Sequence, residues 1–468
     1  MSHQMGRAHI IYFSELERWT PLRNAIEQGD EAASWSPVTI GDLVSQIEER
    51  VTVQPDAEYG MAGVKWYAKG VFHRETVFGR DMSAKYVTPL RPGALIYNRL
   101  FAWKESFAVV QPEHASLFVS GEFPQFQVDV SKALPGFLYL FCTIPTTIKQ
   151  VNAASAGSAA VSRNRFKESE FLKFKLRLPP LDTQQAIVGH WQATQKRNAA
   201  ALRAADEHEV SVTSELSKAL GLGETTVPIT RKAFAASWAQ LQRWSLDYLR
   251  QSLANAGAEE QTHPVTTLGE VVADLANGWS PKCHPRPAEG DEWGVLKLGA
   301  VSFGQYNEAE NKALPRELKP DTALEIKAGD ILISRANITR LVGACAYVAS
   351  TRPRLLLCDK IFRVVPLNQP KILPEFLAEM MKLPSVRQQI ESLATGSSPT
   401  MKNITKPSLL SLRFPLPPLP IQKQLVADVT AARAKIAAER ADAAKLAADT
   451  AREVEDMILG HRPVPNFT

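Results

Sequence analysis

From Ile421 to Leu459 the chain carries neither proline nor glycine, and apolar residues recur at Leu425, Val429, Ala432, Ile436, Ala443, Leu446, Val454 and Ile458. That three-and-four spacing, in a stretch dense in Ala, Lys, Arg and Glu, predicts a long helix with a coiled-coil seam. An earlier stretch, Thr183 to Leu220, shows a less regular stripe at Ile187, Trp191, Leu202, Val212, Leu216 and Leu220, and is followed by Gly221, a residue suited to a helix C-terminus. Each helix would run for about 40 residues, or about 60 Å. Neither can bury its stripe alone, so the two are expected to pair antiparallel, with a globule at each end.

The residues before each helix change period. "GALIYNRL" and "GDILISRA" are short Ile- and Leu-rich runs behind a glycine turn, which favours strands, and "SFAVVQP" and "GACAYVAS" read as their antiparallel partners. "LPGFLYLFCTIPTTIKQV" and "LPEFLAEMMKLPSVRQQI" begin with Leu-Pro and continue with helical apolar spacing, proline being favoured in a helix's first turn. Each globule is therefore expected to be α+β.

These parallels extend to the whole chain. "SELERWTP" matches "AQLQRWSL", aligning Arg18 and Trp19 with Arg243 and Trp244 as packing anchors. "PVTIGDLVSQI" matches "VTTLGEVVADL", with Gly41 opposite Gly269; "RPGALIYNR" matches "KAGDILISR", with Gly93 opposite Gly329 and Arg99 opposite Arg335. "SAGSAAVSRNRFK" matches "ATGSSPTMKNITK", and "LRLPPLDTQQAIV" matches "FPLPPLPIQKQLV". Five anchors in one order, at offsets of 225, 228, 236, 239 and 238, indicate an internal duplication. The expected segments are a globule over 1–180, a helix over 181–222, a second globule over 223–419, a second helix over 420–460 and a tail over 461–468.

Composition narrows the class. At 468 residues, 45% of them apolar, the chain suits two or three domains. It has no run of about 18 apolar residues, and its start lacks a signal peptide's apolar centre, so a soluble cytoplasmic protein without membrane contact is expected. Four scattered cysteines, with no Cys-x-x-Cys pair, favour reduced thiols over a disulfide framework or zinc site. A net charge of +5 permits nucleic-acid binding without requiring it.

The chain has no Asn-Pro-Pro-aromatic or Asp-Pro-Pro-Tyr segment and no phosphate-binding Gly-Lys-Ser/Thr loop. "PDTALEIK" places Asp321 and Glu325 like a nuclease's metal-binding carboxylates, but they are too close in sequence to sit on two adjacent strands. Cys283-His284 offers a neighbouring pair of ligand types without further ligands at metal spacing.

Two α+β globules, each closed by an apolar strand, "LPPL" and a Gln-bearing helix entry, resemble the DNA specificity subunits of type I restriction-modification systems. The likeness rests on Gln184 and Gln185 after the first "LPPL", on Gln422 and Gln424 after the second with Lys423 interposed, on "TGSSPTMKNITK", and on "AGDILISR" ending in Arg335. "PGALIYNR" and "AGSAAVSRNRFK" follow the pattern more loosely. The resemblance implies two target recognition domains separated by two long antiparallel coiled-coil-like helices, each domain reading half of an asymmetric gapped site in double-stranded DNA while the helices set the gap. It implies partners as well: two methyltransferase (M) subunits docked on the helical regions, and restriction/translocase (R) subunits. This chain would itself be non-catalytic and bind no cofactor, the complex using S-adenosyl methionine, ATP and Mg.

Phosphates are met by Lys and Arg, and bases are read by side chains in the groove. The expected DNA-binding residues are therefore basic and amide residues near the repeated loops, with Trp66 beside them. In the first globule these are Lys65, Trp66, Arg99, Lys104, Arg163, Asn164 and Arg165. In the second they are Lys297, Arg335, Asn337, Arg340, Lys360, Ser397, Ser398, Lys402 and Asn403. Arg99 and Arg335 lead because each ends an apolar strand, where a charge must leave the core. Two other readings stand beside this one: a helical interaction scaffold that does not read DNA, and an enzyme using Asp321 and Glu325.

Overall fold

The computed structural model describes residues 35–155, 165–222, 262–396, 398 and 401–464. The Arg18-Trp19 and Arg243-Trp244 anchors lie outside them. The chain divides into two compact units, one of Met1–Leu202 with Ala441–Thr468 and the other of Arg203–Arg440. The long helices α1 (Leu181–Ala219) and α2 (Leu419–Leu459) each contribute one half to each unit.

The first unit is built on an antiparallel sheet of β1 (Val44–Gln46), β2 (Leu95–Tyr97), β3 (Phe107–Val109) and β4 (Gln125–Val128), in the order β1-β4-β2-β3. The second repeats it with β5 (Val272–Asn277), β6 (Ile331–Ser334), β7 (Cys345–Tyr347) and β8 (Ile361–Pro366), in the order β5-β8-β6-β7. The correspondence is element by element, and both predicted hairpins, β2 with β3 and β6 with β7, are present. The glycine before each central strand has a physical reason: Gly93 and Gly329 sit at φ of +82° and +95°, where a side chain is strained. Each donates its N–H across the hairpin, Gly93 to Val110 and Gly329 to Val348, both at 2.8 Å.

Gly41 and Gly269 are retained for closeness instead. A Cβ there would stand 3.1 Å from the Leu172 carbonyl oxygen and 3.3 Å from that of Leu410. The preceding Thr39 and Thr267 donate their N–H groups to the carboxylates of Asp42 and Glu270, each at 2.7 Å. Both carboxyls are held below their ordinary values, Asp42 chiefly by the Thr39 hydroxyl and Glu270 chiefly by the Thr267 amide.

The cores differ in chemistry. In the first unit Tyr97 packs against Phe107, Phe126, Phe166 and Phe171 with ring centroids 5.2 to 6.1 Å apart. In the second, Ile331 and Ile333 meet Phe362, Met380 and Met381. Outside the shared sheets the units diverge further. The first adds a five-stranded sheet that includes the long hairpin Glu58–Val64 with Val71–Phe78. The second adds a three-stranded one containing Gly294–Leu296 and Asn311–Ala313.

The seam of α2 is more regular than its apolar residues suggest. Gln422, Val429, Ile436, Ala443, Thr450 and Met457 are all buried, one every seven residues. In α1 the expected seam residue Leu202 is 40% exposed, and the fully buried Ala205 takes its place. Seven residues separate Asn198, Ala205 and Val212, a repeat that passes beside Leu202 rather than through it. Within the second unit the helices run antiparallel: Arg440 meets Asp206 at 2.8 Å and Arg433 meets Glu209 at 2.9 Å, one numbering rising as the other falls. Arg433 also pairs with Glu379 on the helix Pro374–Met380, tying α2 to the globule. Within the first unit Val454, Met457 and Ile458 join the core of Ile187 and Val188, and Glu455 accepts from the Thr146 hydroxyl at 2.6 Å.

The repeated "LPPL" segment is resolved by its glutamine. Gln184 is fully buried; its Oε1 accepts from Leu134 N–H at 2.8 Å, and its Nε2 donates to the carbonyls of Lys132 at 3.0 Å and Pro179 at 2.9 Å. Gln422, also fully buried, accepts from Leu373 N–H at 2.8 Å and donates to Lys371 at 3.0 Å and Pro417 at 2.8 Å. Leu134 and Leu373 are the N-caps of the helices that begin Pro135 and Pro374, so each amide joins a Pro-Pro bend to a helix start. Gln185 and Gln424 are exposed and take no part in it. Gln184→Leu or Gln422→Leu strands three backbone groups at once, and the expected loss is on the order of 3 kcal/mol. The shift in urea midpoint of the full chain measures it, and a midpoint unchanged from the parent would show that the amide contributes little.

Candidate nucleic-acid interface

Arg99 and Arg335 follow equivalent strands and have equivalent backbones. Arg99 N–H donates to the Glu122 carbonyl at 3.0 Å and its carbonyl accepts from Phe166 at 2.9 Å; Arg335 N–H donates to Lys360 at 2.8 Å and its carbonyl accepts from Ile404 at 3.0 Å. Their side chains part company. Arg99 is ion-paired with Glu168, and its Nε is buried with no partner among the described residues. Arg335 is exposed, with Nη1 3.5 Å from the Asp359 carbonyl and its guanidinium 5.8 Å over the Phe362 ring. One copy of the position is thus turned inward to a carboxylate and the other outward.

In the second unit a short antiparallel ribbon leaves the end of β6. Ala336 and Asn337 pair with Asn403 and Lys402, and Thr395 bridges to Asn403. The ribbon therefore gathers Arg335, Asn337, Lys360, Lys402 and Asn403 along connected backbone. Lys402 Nζ donates to the Gly396 carbonyl at 2.6 Å, and Asn337 Oδ1 accepts from Ile338 N–H at 2.9 Å. Arg340 is exposed on the next loop, Ser398 is exposed beyond Thr395, and Ile338 and Met401 stand 40% and 64% exposed where the ribbon ends. Lys297 is elsewhere, just past a strand of a different sheet, and is paired with Glu310 at 2.7 Å.

Arg387, unmarked in the sequence reading, holds the Arg340 loop. It is 9% exposed and donates to the carbonyls of Val342 at 2.8 Å and Arg340 at 3.2 Å. Burial lowers its pKa, opposed by Glu391 at 3.7 Å. An arginine one helical turn before a glutamate is common enough on exposed helices that the spacing carries no signal of this role.

In the first unit Trp66 and Lys104 come together across two loops, the Lys104 ammonium 3.8 Å from the Trp66 ring centre and the Phe101 ring 5.0 Å from it. Lys65, beside them in sequence, lies 5.5 Å over Phe72. The adjoining Tyr67, missed from sequence, is 60% exposed at φ of +57°. Ala68 and Glu105 share that left-handed geometry, which costs roughly 1–2 kcal/mol for each non-glycine residue. Arg165 pairs with Glu122 at 2.7 Å, near Arg99 through the same residue's backbone. Arg163, Asn164 and Ser397 lie outside the described residues.

The nuclease-like carboxylates are committed locally. Asp321 accepts from Ala323 N–H at 3.1 Å and Glu325 from Arg354 N–H at 2.7 Å. Among the described residues no group of three or more His, Cys, Asp or Glu is placed to hold a metal ion. None of the described helices is long and apolar enough to cross a membrane.

The two arginines should separate experimentally. Arg99→Ala leaves the Glu168 carboxylate, 17% exposed, without its cation, and should lower stability by roughly 1–2 kcal/mol. Arg335→Ala should stay within about 0.5 kcal/mol. Equal losses in thermal unfolding would contradict the contrast.

No family model matches the chain. Over 163 residues it is 34% identical to the type I restriction enzyme EcoEI specificity subunit of Escherichia coli, a match covering 35% of this chain and 27% of that relative's length. In fold it matches, over 93% of its length and 98% of the other chain, a protein from a structure described as the structural basis of complex assembly and conformational transition of the type I R-M system, with a TM-score of 0.53 at 17% identity. The S subunit of Thermoanaerobacter tengcongensis (HsdS) aligns over 91% of this chain and 95% of its own at 18% identity, with a TM-score of 0.40. Sequence similarity to a type I specificity subunit thus covers about a third of this chain and about a quarter of that relative, and the fold over nearly all of this chain is shared with a protein from the type I R-M structure.

Proposed function

We propose that this chain is the non-catalytic DNA sequence-specificity subunit of a type I restriction-modification complex. The observation that carries the reading is the duplicated strand end. Two sheets of identical order deliver Arg99 and Arg335 to the same backbone position, with basic and amide side chains gathered on the loops around each. Phosphate contacts supply affinity and amides or arginines read base edges, so Arg335, Asn337, Arg340, Lys360, Lys402 and Asn403 form the stronger set. A two-stranded ribbon is of a size that the major groove admits. In the first unit Lys65, Trp66 and Lys104 serve, with Arg165 and Arg99 at the margin because acidic residues already engage them.

Because the two sets differ in most of their side chains, the half-sites differ and the whole site is asymmetric. The two long helices set the number of base pairs between the half-sites. Methyltransferase subunits dock on the helical regions and translocase-nuclease subunits join them, bringing S-adenosyl methionine, ATP and Mg to a complex whose specificity resides here. Support comes from the sequence match to a specificity subunit and from helices that are continuous over 39 and 41 residues.

Deleting the gene should erase one gapped, asymmetric adenine-methylation motif from the host genome; a methylome identical to the parent's would overturn the reading. Adding one turn to both helices should widen the gap in the motif and leave its two halves unaltered. A recovered motif with its original gap would remove the spacing role while leaving specificity in place.

A further inference from the structure

We propose that Tyr67, backed by Trp66, is an aromatic wedge that enters the base stack of duplex DNA at the first half-site and unstacks one base step. The inference rests on the DNA-reading function proposed above and adds to it a named residue and a way of reading sequence: through the ease of deforming a step, in addition to hydrogen bonds.

Tyr67 is at the tip of the loop joining the strands Glu58–Val64 and Val71–Phe78, and its ring is one of the most exposed large apolar groups among the described residues. A single exposed aromatic is ordinary. Here two are consecutive, Trp66 at 41% and Tyr67 at 60%, and they are flanked by the exposed cations Lys65 and Lys69, with Lys104 over the Trp66 ring. A surface of this kind suits a polyanion with flat faces, which is what stacked nucleotides present.

The backbone adds an independent argument. Four non-glycine residues among those described have positive φ, and three of them, Tyr67, Ala68 and Glu105, meet at this spot. The conformation is enforced from outside. Tyr67 N–H donates to Lys104 at 2.8 Å, Ala68 N–H to Glu105 at 3.0 Å, and the Tyr139 hydroxyl donates to the Ala68 carbonyl at 2.9 Å. Strain held by neighbouring hydrogen bonds, at a residue whose own ring is largely exposed and joins no core cluster among the described residues, belongs to a side chain positioned for something outside the chain. Tyr97 and Tyr139, by contrast, have their rings in the core. The second unit has no aromatic residue on its ribbon, so the wedge belongs to one half-site.

The test uses the full-length chain in its assembled form and a duplex carrying the motif found by methylation sequencing. 2-Aminopurine replaces adenine, and pyrrolocytosine replaces cytosine, one position at a time on both strands. A several-fold fluorescence rise at one step in or beside one half-site is expected, lost in Tyr67→Ala and kept in Tyr67→Phe. Because the ring is largely exposed and outside the core clusters, the melting temperature of Tyr67→Ala should stay near the parent's. Tight binding with no rise at any position, or an equal rise in Tyr67→Ala, would overturn the wedge and leave the specificity reading standing. Failure of the parent to bind the duplex at all would overturn both.

Discussion

A buried glutamine amide holds each long helix to its globule, and the rest of each unit is arranged around that bond set. Gln184 and Gln422 are both fully buried, and each satisfies one N–H and two carbonyls. Those groups belong to two segments that the amide joins directly: a Pro-Pro bend, which cannot donate, and the start of a helix whose first N–H groups lack intrahelical partners. An apolar residue there would pack equally well and leave three polar groups stranded. This explains why the surroundings of the glutamine recur while most of the chain has diverged.

The units show what such a constraint leaves open. Sheet order, the capping threonines and the turn glycines are common to both, because each is set by backbone geometry that admits few residues. Core chemistry is not constrained in that way. One unit fills the space beneath its central strand with aromatic rings and the other with aliphatic and methionine side chains, since volume and patterning suffice for a folded core. The outer sheets, and the loops that carry the exposed cations, differ most.

The matched arginines illustrate how one backbone position can hold two roles. Arg99 is neutralised by Glu168, while Arg335 faces solvent above an aromatic ring. Divergence at a single partner position therefore moves an arginine between a partly buried ion pair and an exposed position. Arg387 shows the reverse: a buried cation far along the chain fixes the loop that presents Arg340, a role that needs no exposed charge.

The sequence by itself determined the duplication, the strand pairs behind Gly93 and Gly329, and the two long helices, because turn glycines, prolines and apolar periodicity act over a few residues and are visible there. It also pointed to the strand ends where the cations gather. Tertiary structure decided the rest. The helix seam is carried partly by Gln422, Thr450 and Ala205, which an apolar count passes over, and Leu202 lies off it. Which arginine is ion-paired, which loops share a surface, and that Tyr67 is held at positive φ all depend on partners tens or hundreds of residues away. A local pattern carries no record of such partners, since the hydrogen bonds and ion pairs that select them form only when the chain has folded.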